Sequence, residues 1–246
     1  MIANLRIDVC AYPQTDYDVL GRTVILIDVL RASTTIISAL SQGIRSVIPV
    51  ATLGAARRLK RDNPGYLLAG ERNGNPPDDF DFGNSPLAFK KQDIDHKELI
   101  LTTTNGTHIL QKVINAAHIY VGAFINLDAV IIRAAEQGLP ISLICAGNNG
   151  EFSAEDALCA AAMLLGLNTK YDALQLTDQA QWMLYALRGI TNAYSELQDQ
   201  SIESFMKQTE HGHHLSQLGY TMDISFASRI NHSTVVPDFV KGKLIK

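Results

Sequence analysis

The stretch GRTVILIDVLRASTTIISAL, residues Gly21 to Leu40, predicts the fold of this chain. Thr23 to Ile27 is an unbroken run of β-branched and aliphatic residues, which is typical of a strand covered on both faces in the centre of an α/β sheet. The run ends at Asp28, and apolar residues then return at helical spacing. We therefore expect a strand, a short loop and a helix that Ser33 or Thr34 would cap.

Two later segments repeat the pattern of a strand that ends in a polar loop opening into a helix. One strand, Leu99 to Thr102, ends before Thr103, and another, Ile141 to Cys145, ends at its cysteine. If all three strands are parallel neighbours, their loops meet at the carboxyl edge of the sheet, where open α/β sheets bind ligands. The chain is therefore predicted to be an α/β protein with its site at that edge.

Three further predictions concern less regular parts of the chain. Residues 174–208 are predicted to be helical almost throughout, with a break at Gly189, and Ser233 to Val236 is predicted as the last strand. The segment Asn73 to Pro86 is too rich in Gly, Pro, Asn and Asp for regular structure, but it contains two phenylalanines, which a disordered linker would lack. Ordered loops of this length are usually functional, so it is predicted to be a wall or lid of the site.

The composition is that of an ordinary globular protein, with 46% hydrophobic and 19% charged residues among 246. We expect one α/β domain over residues 1–246, or two closely packed lobes with the site between them. The net charge of −4 argues against a nucleic-acid partner. Three cysteines are too few for a disulfide framework, and no apolar run approaches ~20 residues. We expect no signal peptide, because the N-terminal residues lack the apolar segment that such a peptide needs. The sequence predicts a cytoplasmic protein with no membrane partner.

Asp28 and Arg31 are the first candidate site residues. A carboxylate at the end of a buried strand, a nearby guanidinium and a helix N-terminus around Ser33 and Thr34 together suit a metal-bound phosphate ester. The alternative is a helix-capping Asp paired with Arg31 on the surface. The position directly after a buried strand favours the functional interpretation.

A second candidate is the segment TTTNGT, residues 102–107. The hydroxyls of Thr103 and Thr104, the amide of Asn105 and the accessible backbone of Gly106 could cradle a phosphate. The alternative is a plain Asn-Gly turn with a Thr cap. No Gly-Lys-Ser/Thr follows, so a nucleotide-hydrolysing Walker loop is excluded.

Carboxylates near other element ends supply oxygen ligands for a hard cation. Glu71, followed by Arg72, stands at a strand end and is the strongest of these candidates. Glu155 and Asp156 fall in the first turn of a predicted helix, where the helix dipole alone would explain their charge. A metal-binding role and this structural role are both open for the pair.

Two other features favour structural interpretations. Cys145 is predicted to be a buried thiol, because a cysteine phosphatase loop would need Arg where this chain has Glu151. The cluster formed by His211, His213 and His214 lacks further Cys or His residues at zinc-binding spacing, so we expect a solvated helix start.

Taken together, these motifs resemble one family, the magnesium-dependent 2-phosphosulfolactate phosphatases. The resemblance rests on four blocks that occur in the family's order: Leu26 to Thr34, Gly70 to Pro86, Thr102 to Thr107 and Cys145 to Asp156. A weaker similarity covers Gly219 to Ala227 and Val236-Pro237. One departure is Asp79, which stands where the family usually has Gly; Asp tolerates the left-handed backbone conformation better than most residues.

The resemblance implies a three-layer α/β/α fold with a mixed, largely parallel sheet. It also implies a Mg²⁺ cofactor and hydrolysis of phosphosulfolactate to sulfolactate and phosphate, a step towards coenzyme M. Asp28 would bind Mg²⁺ or attack phosphorus, with Arg31, Glu71 and Asp156 as further catalytic candidates. The candidate metal ligands are Asp28, Glu71, Glu155 and Asp156. The substrate would contact Ser33, Thr34, Arg72, Asn84, Ser85, Thr103, Thr104, Asn105 and Gly106.

Two alternatives share the same candidate residues. The protein could hydrolyse a different small phosphorylated acid, or it could bind an anionic metabolite without catalysis. A nicotinamide-dependent dehydrogenase is disfavoured, because no Gly-x-Gly-x-x-Gly follows a predicted strand. The sequence leaves a homo-oligomer open.

Overall fold

A computed structural model describes residues 5–14, 16–89, 94–190 and 198–246. Within these residues one ten-stranded, mostly parallel sheet carries helices on both faces. The strands are, in chain order, β1 Leu5–Cys10, β2 Thr23–Ile27, β3 Ser46–Pro49, β4 Leu67–Gly70, β5 Glu98–Thr102, β6 His118–Gly122, β7 Ile141–Cys145, β8 Leu174–Leu176, β9 Asp238–Val240 and β10 Lys243–Ile245. The predicted α/β fold is confirmed.

The described helices alternate with the strands until the C-terminal quarter of the chain, where four follow in succession. They are α1 Ala32–Ser41, α2 Leu53–Asp62, α3 Gly106–Lys112, α4 Leu127–Ala135, α5 Ala154–Lys170, α6 Asp178–Ile190, α7 Asp199–Gln208, α8 Glu210–Gln217 and α9 Thr221–Ala227. In the part of the chain that the structure describes, no helix combines the length and the apolar character needed to cross a bilayer.

The sheet consists of two parallel groups joined by a short antiparallel hairpin. Its strand order is β4-β5-β3-β10-β9-β6-β2-β7-β1-β8. Three successive antiparallel pairings, β6 with β9, β9 with β10 and β10 with β3, separate the groups, so their strands run in opposite senses. The hairpin meets each group through one registered pair, Tyr120 with Asp238 and Leu244 with Val47.

Strand β2 is buried on both faces, as its sequence predicts. Ile25 and Ile27 belong to the large core that also contains residues of α4, α5 and α6, whereas Val24 and Leu26 belong to a second core with α3. Full burial of each such side chain contributes about 1.5–3 kcal/mol. The central strand is therefore clamped between two layers of helices, which fixes the position of the loop that follows it.

Two predicted elements differ from the structure. Leu174–Leu176 is a strand, because it alternates around the exposed Gln175 and pairs with β1 at the sheet edge; α6 begins only at Asp178 and runs through Gly189, where a break was predicted. Residues 191–197 of the predicted helix lie outside the described residues.

The predicted strand Ser233 to Val236 is wrong, and β9 follows it instead. Backbone groups of this segment form hydrogen bonds outside any β-sheet. Ser233 donates its N–H to the Ile125 carbonyl at 2.7 Å, and the Val235 carbonyl accepts from Asn126 Nδ2 at 2.9 Å. Hydrogen bonds to the short 3₁₀ helix Phe124–Asn126 therefore replace those of a sheet.

Candidate functional site

A cavity of about 350 Å³ lies where the loops after β2, β4, β5 and β7 meet α8. The predicted site residues that line it are Asp28, Arg31, Glu71, Asn84, Thr103, Thr104 and Asn105. Asn73 and Gly74 lie in the segment predicted as a wall or lid of the site, whereas six other lining residues were not predicted: Leu30, Asn148, Asn149, Glu210, His211 and His214. The convergence of the strand-end loops at one site is therefore observed.

The loop after β5 reaches this site by a different route from the predicted one. Strand β7 is a parallel neighbour of β2, but β5 belongs to the other group of strands and runs in the opposite sense. The two loops still touch, because a methyl group built on Gly106 would lie 2.8 Å from Asp28 Oδ2. The loops of both groups therefore line one cavity although their strands do not share one direction.

Asp28 organises its own loop. Its Oδ1 accepts the Ala32 N–H at 3.1 Å, and its own N–H donates to Ser33 Oγ at 2.9 Å. Thr34 Oγ1 donates to the Val29 carbonyl at 2.8 Å. Helix α1 thus begins at Ala32 without a Ser33 or Thr34 cap, and the hydroxyls predicted to contact substrate are engaged inside the loop.

The Asp28 carboxyl group is buried among other negative charges. Burial raises its pKa from 3.8 to about 6, and the charges of Glu71 and Glu155 add to the increase. The hydrogen bond from Ala32 and the nearby His211 act in the opposite direction. The site therefore carries more negative charge than its surroundings offset, a condition that a bound cation would relieve.

Glu71 joins the ends of β4 and β5. Its Oε2 accepts from the Gly74 N–H at 2.9 Å, and its Oε1 accepts both the N–H and the hydroxyl of Thr104 at 2.8 and 2.9 Å. Arg72 does not line the cavity, because its guanidinium donates to Thr102 Oγ1 at 2.9 Å and to the Glu71 carbonyl. Glu71 therefore faces the cavity with a fixed orientation, while Arg72 supports the strand ends.

Arg31 is almost fully buried, and protein groups already bind its donors. Nη1 lies 2.8 Å from Asp223 Oδ2, Nη2 donates to the Gly74 carbonyl at 2.8 Å, and the guanidinium carbon lies 4.0 Å from the centre of the Tyr220 ring. The second oxygen of Asp223 accepts from Ser85 Oγ at 2.7 Å. Arg31 and Ser85 therefore tie the loops around the cavity to α9.

Asp156 bridges two strand-end loops and does not line the cavity. Its Oδ1 accepts from the Val29 N–H at 2.8 Å, and its Oδ2 accepts from the Gly147 N–H at 3.1 Å. Burial, followed by the charges of Asp28 and Glu155, raises its pKa well above the usual range. The geometry gives Asp156 a positioning role for the loops after β2 and β7.

Glu155 faces a neighbouring cavity of about 230 Å³ that shares His211 with the main one. Its side chain is 2% exposed, and His211 Nδ1 lies 3.4 Å from its Oε1. That oxygen has no hydrogen-bond partner within the described residues. Of the four carboxylates predicted as metal ligands, Asp28 and Glu71 thus line the main cavity, Glu155 lines the neighbouring one and Asp156 lines neither.

The segment from Asn73 to Pro86 forms an ordered wall of the cavity, as predicted. Phe82 exchanges backbone hydrogen bonds with Leu68 and Gly70 along the outer edge of β4. Asp79 has no left-handed backbone conformation and instead binds Arg57 through two hydrogen bonds of 2.8 Å. Asn84, 5% exposed, lines the cavity, and its Oδ1 has no hydrogen-bond partner in the described part of the chain.

The histidine cluster was only partly predicted. A helix does start there, at Glu210 with Thr209 as its cap. The predicted solvated position is wrong for His211, whose side chain is 19% exposed and lines the cavity together with His214. His211 and His214 are three residues apart, so the sequence could have shown that they share one helix face. Only the packing of α8 shows that this face meets the site.

The donor set fits Mg²⁺ with a mainly water- and substrate-filled shell. No group of three His, Cys, Asp or Glu residues is arranged around a metal position among the residues described. However, Asp28 and Glu71 face the cavity beside the unpartnered oxygen of Asn84. Mg²⁺ usually keeps several waters and takes only one or two carboxylates from the protein.

Comparison with known proteins assigns the family. The family model described as 2-phosphosulpholactate phosphatase matches residues 10–242. The chain belongs to the 2-phosphosulpholactate phosphatase family. A relative in Thermotoga petrophila, named "Probable 2-phosphosulfolactate phosphatase", is 38% identical over 91% of this chain and 92% of its own length. Relatives with the same name in Clostridium novyi and Carboxydothermus hydrogenoformans are 35% and 32% identical, over 92% and 98% of this chain and 92% and 97% of their own lengths.

Membership of the 2-phosphosulpholactate phosphatase family places the chain among the phosphoric monoester hydrolases. The matched region includes every element that lines the cavity. The cavity therefore lies within the part of the chain that the family model matches.

Gly106 lies so close to Asp28 that a side chain at position 106 should disturb the carboxylate. In Gly106→Ala the new methyl group would lie 2.8 Å from Asp28 Oδ2 and 3.2 Å from Ala32 Cβ, so the carboxylate must move. We expect phosphatase activity to fall by about 10–100-fold, since small misplacements of catalytic groups are costly. Gly54→Ala is the matched control, because its methyl group meets nothing within 4 Å. Equal activity of the two variants would contradict this placement of Asp28.

Proposed function

We propose that this protein hydrolyses 2-phosphosulfolactate, or a similar small phosphorylated acid, to the free acid and phosphate with Mg²⁺ as cofactor. The observation that carries the proposal is the cavity in which the carboxylates of Asp28 and Glu71 face the imidazoles of His211 and His214. Its volume of about 350 Å³ suits a small metabolite. The names of the relatives supply the substrate class.

Asp28 and Glu71, with Asn84 beside them, would hold the Mg²⁺. Burial, together with the nearby charges of Glu71 and Glu155, raises the Asp28 pKa, and this uncompensated negative charge supports a cation at this position. Bound Mg²⁺ would polarise a phosphoryl oxygen and offset negative charge in the transition state. We leave Glu155 and Asp156 out of the metal site, because the first faces His211 and the second binds two backbone N–H groups.

The substrate's anionic groups would be held by neutral and weakly basic side chains. The amides of Asn105, Asn148 and Asn149 and the hydroxyl of Thr103 line the cavity and can donate hydrogen bonds. His214 lines the same space from α8. These groups would orient a phosphate and a distal acid group, while the buried pair of Arg31 and Asp223 keeps the cavity wall in place.

The proposal predicts phosphate release from 2-phosphosulfolactate in Mg²⁺ and none above background after the metal is removed with EDTA. A panel of phosphorylated acids without the sulfonate, assayed in parallel, tests the substrate. We expect a kcat/KM at least tenfold higher for phosphosulfolactate, about 1.4 kcal/mol of discrimination. A preference for another panel member would overturn the substrate but not the reaction type.

The same assay separates the enzyme from a non-catalytic metabolite-binding protein. Such a protein would show a higher melting temperature with phosphosulfolactate and Mg²⁺, but no phosphate release. The other role considered for Asp28, direct attack on phosphorus, predicts a phosphorylated enzyme in quenched reactions. We expect mass spectrometry of quenched samples to show unmodified Asp28.

A further inference from the structure

His211 stands between the two cavities, and its surroundings give its two ring nitrogens different tasks. It lines the main cavity with Asp28 and also the adjoining cavity with Glu155. Nδ1 lies 3.4 Å from Glu155 Oε1. Nε2, on the opposite side of the ring, is therefore the nitrogen available to a molecule in the main cavity.

One oxygen of the Glu155 carboxylate lacks a hydrogen bond in the described part of the chain. Its side chain is 2% exposed, and apart from the contact with His211 its Oε1 has no hydrogen-bond partner within the described residues. A buried carboxylate is strongly destabilised unless it is paired. A proton on Nδ1 directed at this carboxylate would fix the orientation of the imidazole, as the carboxylate partner of a catalytic histidine does in other hydrolases.

The start of α8 is held in place by packing. Gly212 is buried, and a side chain at this position would collide with the carbonyl oxygen of Met206 at the end of α7. The Thr209 hydroxyl accepts the Gly212 N–H at 3.1 Å, and Leu215 lies in the main core. His211 is thus carried on a rigid segment, which is what an acid or base must have to act at one defined atom.

We propose that His211 is the general acid that protonates the leaving oxygen of the substrate, with Glu155 as its positioning residue. The inference rests on the proposed function and deepens it by naming the group that acts on the leaving alcohol. A secondary alkoxide, such as that of a 2-hydroxy acid, is a poor leaving group unless it receives a proton. Among the described residues that line the main cavity, His211 is the imidazole whose orientation is set by a buried carboxylate.

In this step the bond between phosphorus and the ester oxygen breaks, and its electron pair stays on the ester oxygen. The proton on Nε2 of His211 moves to that oxygen, which gives the neutral alcohol and a neutral imidazole. Water supplies the new oxygen on phosphorus and releases one proton. That proton restores the imidazolium, so the overall change is phosphate ester plus water to alcohol plus phosphate.

The test is the dependence of the His211→Asn effect on the leaving group. Asn can still donate to Glu155 but cannot protonate a leaving oxygen. We expect kcat for phosphosulfolactate to fall by about 10²–10⁴-fold. With p-nitrophenyl phosphate, whose phenolate leaves without a proton, we expect a decrease of less than about tenfold. His213→Asn, an exposed position on the same helix, is the control and should leave both rates unchanged.

Equal losses with both esters would overturn the proposal, because they would indicate a binding or structural role for His211. An unchanged rate with the alkyl ester would overturn it as well. If the wild-type enzyme cleaves other alkyl phosphates but not phosphosulfolactate, the proposed substrate is refuted and not the role of His211. The effect of His211→Asn is then compared between p-nitrophenyl phosphate and the alkyl phosphate that the enzyme does cleave. Glu155→Gln should also lower the rate more with phosphosulfolactate than with p-nitrophenyl phosphate, but by a smaller factor than His211→Asn. If Glu155 had only a structural role, its substitution would lower both rates alike.

Discussion

Replacing Asp28 with Asn is expected to lower Mg²⁺-dependent phosphate release by about 10²–10³-fold, since Lewis-acid catalysis supplies several kcal/mol and each ~1.4 kcal/mol is tenfold in rate. The substitution would remove the charge proposed to hold the cation, while the amide oxygen of Asn can still accept from the Ala32 N–H. Steady-state phosphate release at saturating substrate, with Mg²⁺ varied, measures the effect. We expect added Mg²⁺ to restore part of the rate.

The same variant is expected to be more stable than the wild type in metal-free buffer at pH 8. Burial raises the pKa of Asp28 to about 6, so the ionised carboxylate costs folding free energy once the pH exceeds 3.8, its usual value, and the full cost is present above about pH 6. Asn carries no charge at any pH. The gain should be on the order of 1–3 kcal/mol, or roughly 2–12 °C in Tm.

A scan of pH checks the sign of this effect. The difference in melting temperature between Asp28→Asn and wild type should shrink below pH 6 and vanish near pH 4, where the folded wild-type carboxyl is already protonated. Near-normal turnover in a well-folded Asp28→Asn protein would remove Asp28 from the reaction. If the variant is less stable than the wild type at pH 8, the Asp28 carboxylate of the wild type does not carry a buried, uncompensated charge.

Replacing Arg31 with Met is expected to destabilise the protein by about 3–5 kcal/mol, because it leaves the buried Asp223 without its partner. Urea unfolding followed by circular dichroism measures the loss. Arg57→Met is the matched control. Its pair with Asp79 has the same 2.8 Å separation, but both side chains are about half exposed, so little change is expected.

A second substitution separates the ion pair from the rest of the Arg31 environment. Asp223→Asn removes the charge but can still accept from Ser85, so the double variant Arg31→Met with Asp223→Asn should recover about 1–3 kcal/mol relative to Arg31→Met alone. If Arg31 instead bound substrate directly, Arg31→Met would keep wild-type stability and raise KM. The two outcomes distinguish a residue that holds the cavity wall from one that holds the ligand.

The sequence predicted the strand-end carboxylates because their signal is local. An apolar run followed at once by Asp28, or by Glu71, places an acidic group at a strand end, and the order of the motifs indicated the family. Local signals also misled. Ser33 and Thr34 are residue types that cap helices, yet their hydroxyls bond within the loop, and Asp28 accepts the Ala32 N–H at the start of α1.

By itself, then, the sequence determined the α/β class, the buried central strand and the loops that carry the site, since each depends on residues close together in the chain. Tertiary structure decided what each polar side chain faces. It paired Arg31 with Asp223, 192 positions later, and placed His211 beside Glu155. It also separated Asp156 from the cavity. Such choices depend on the relative positions of distant elements, which the antiparallel hairpin β9–β10 and the packing of α8 set, and no local pattern encodes them.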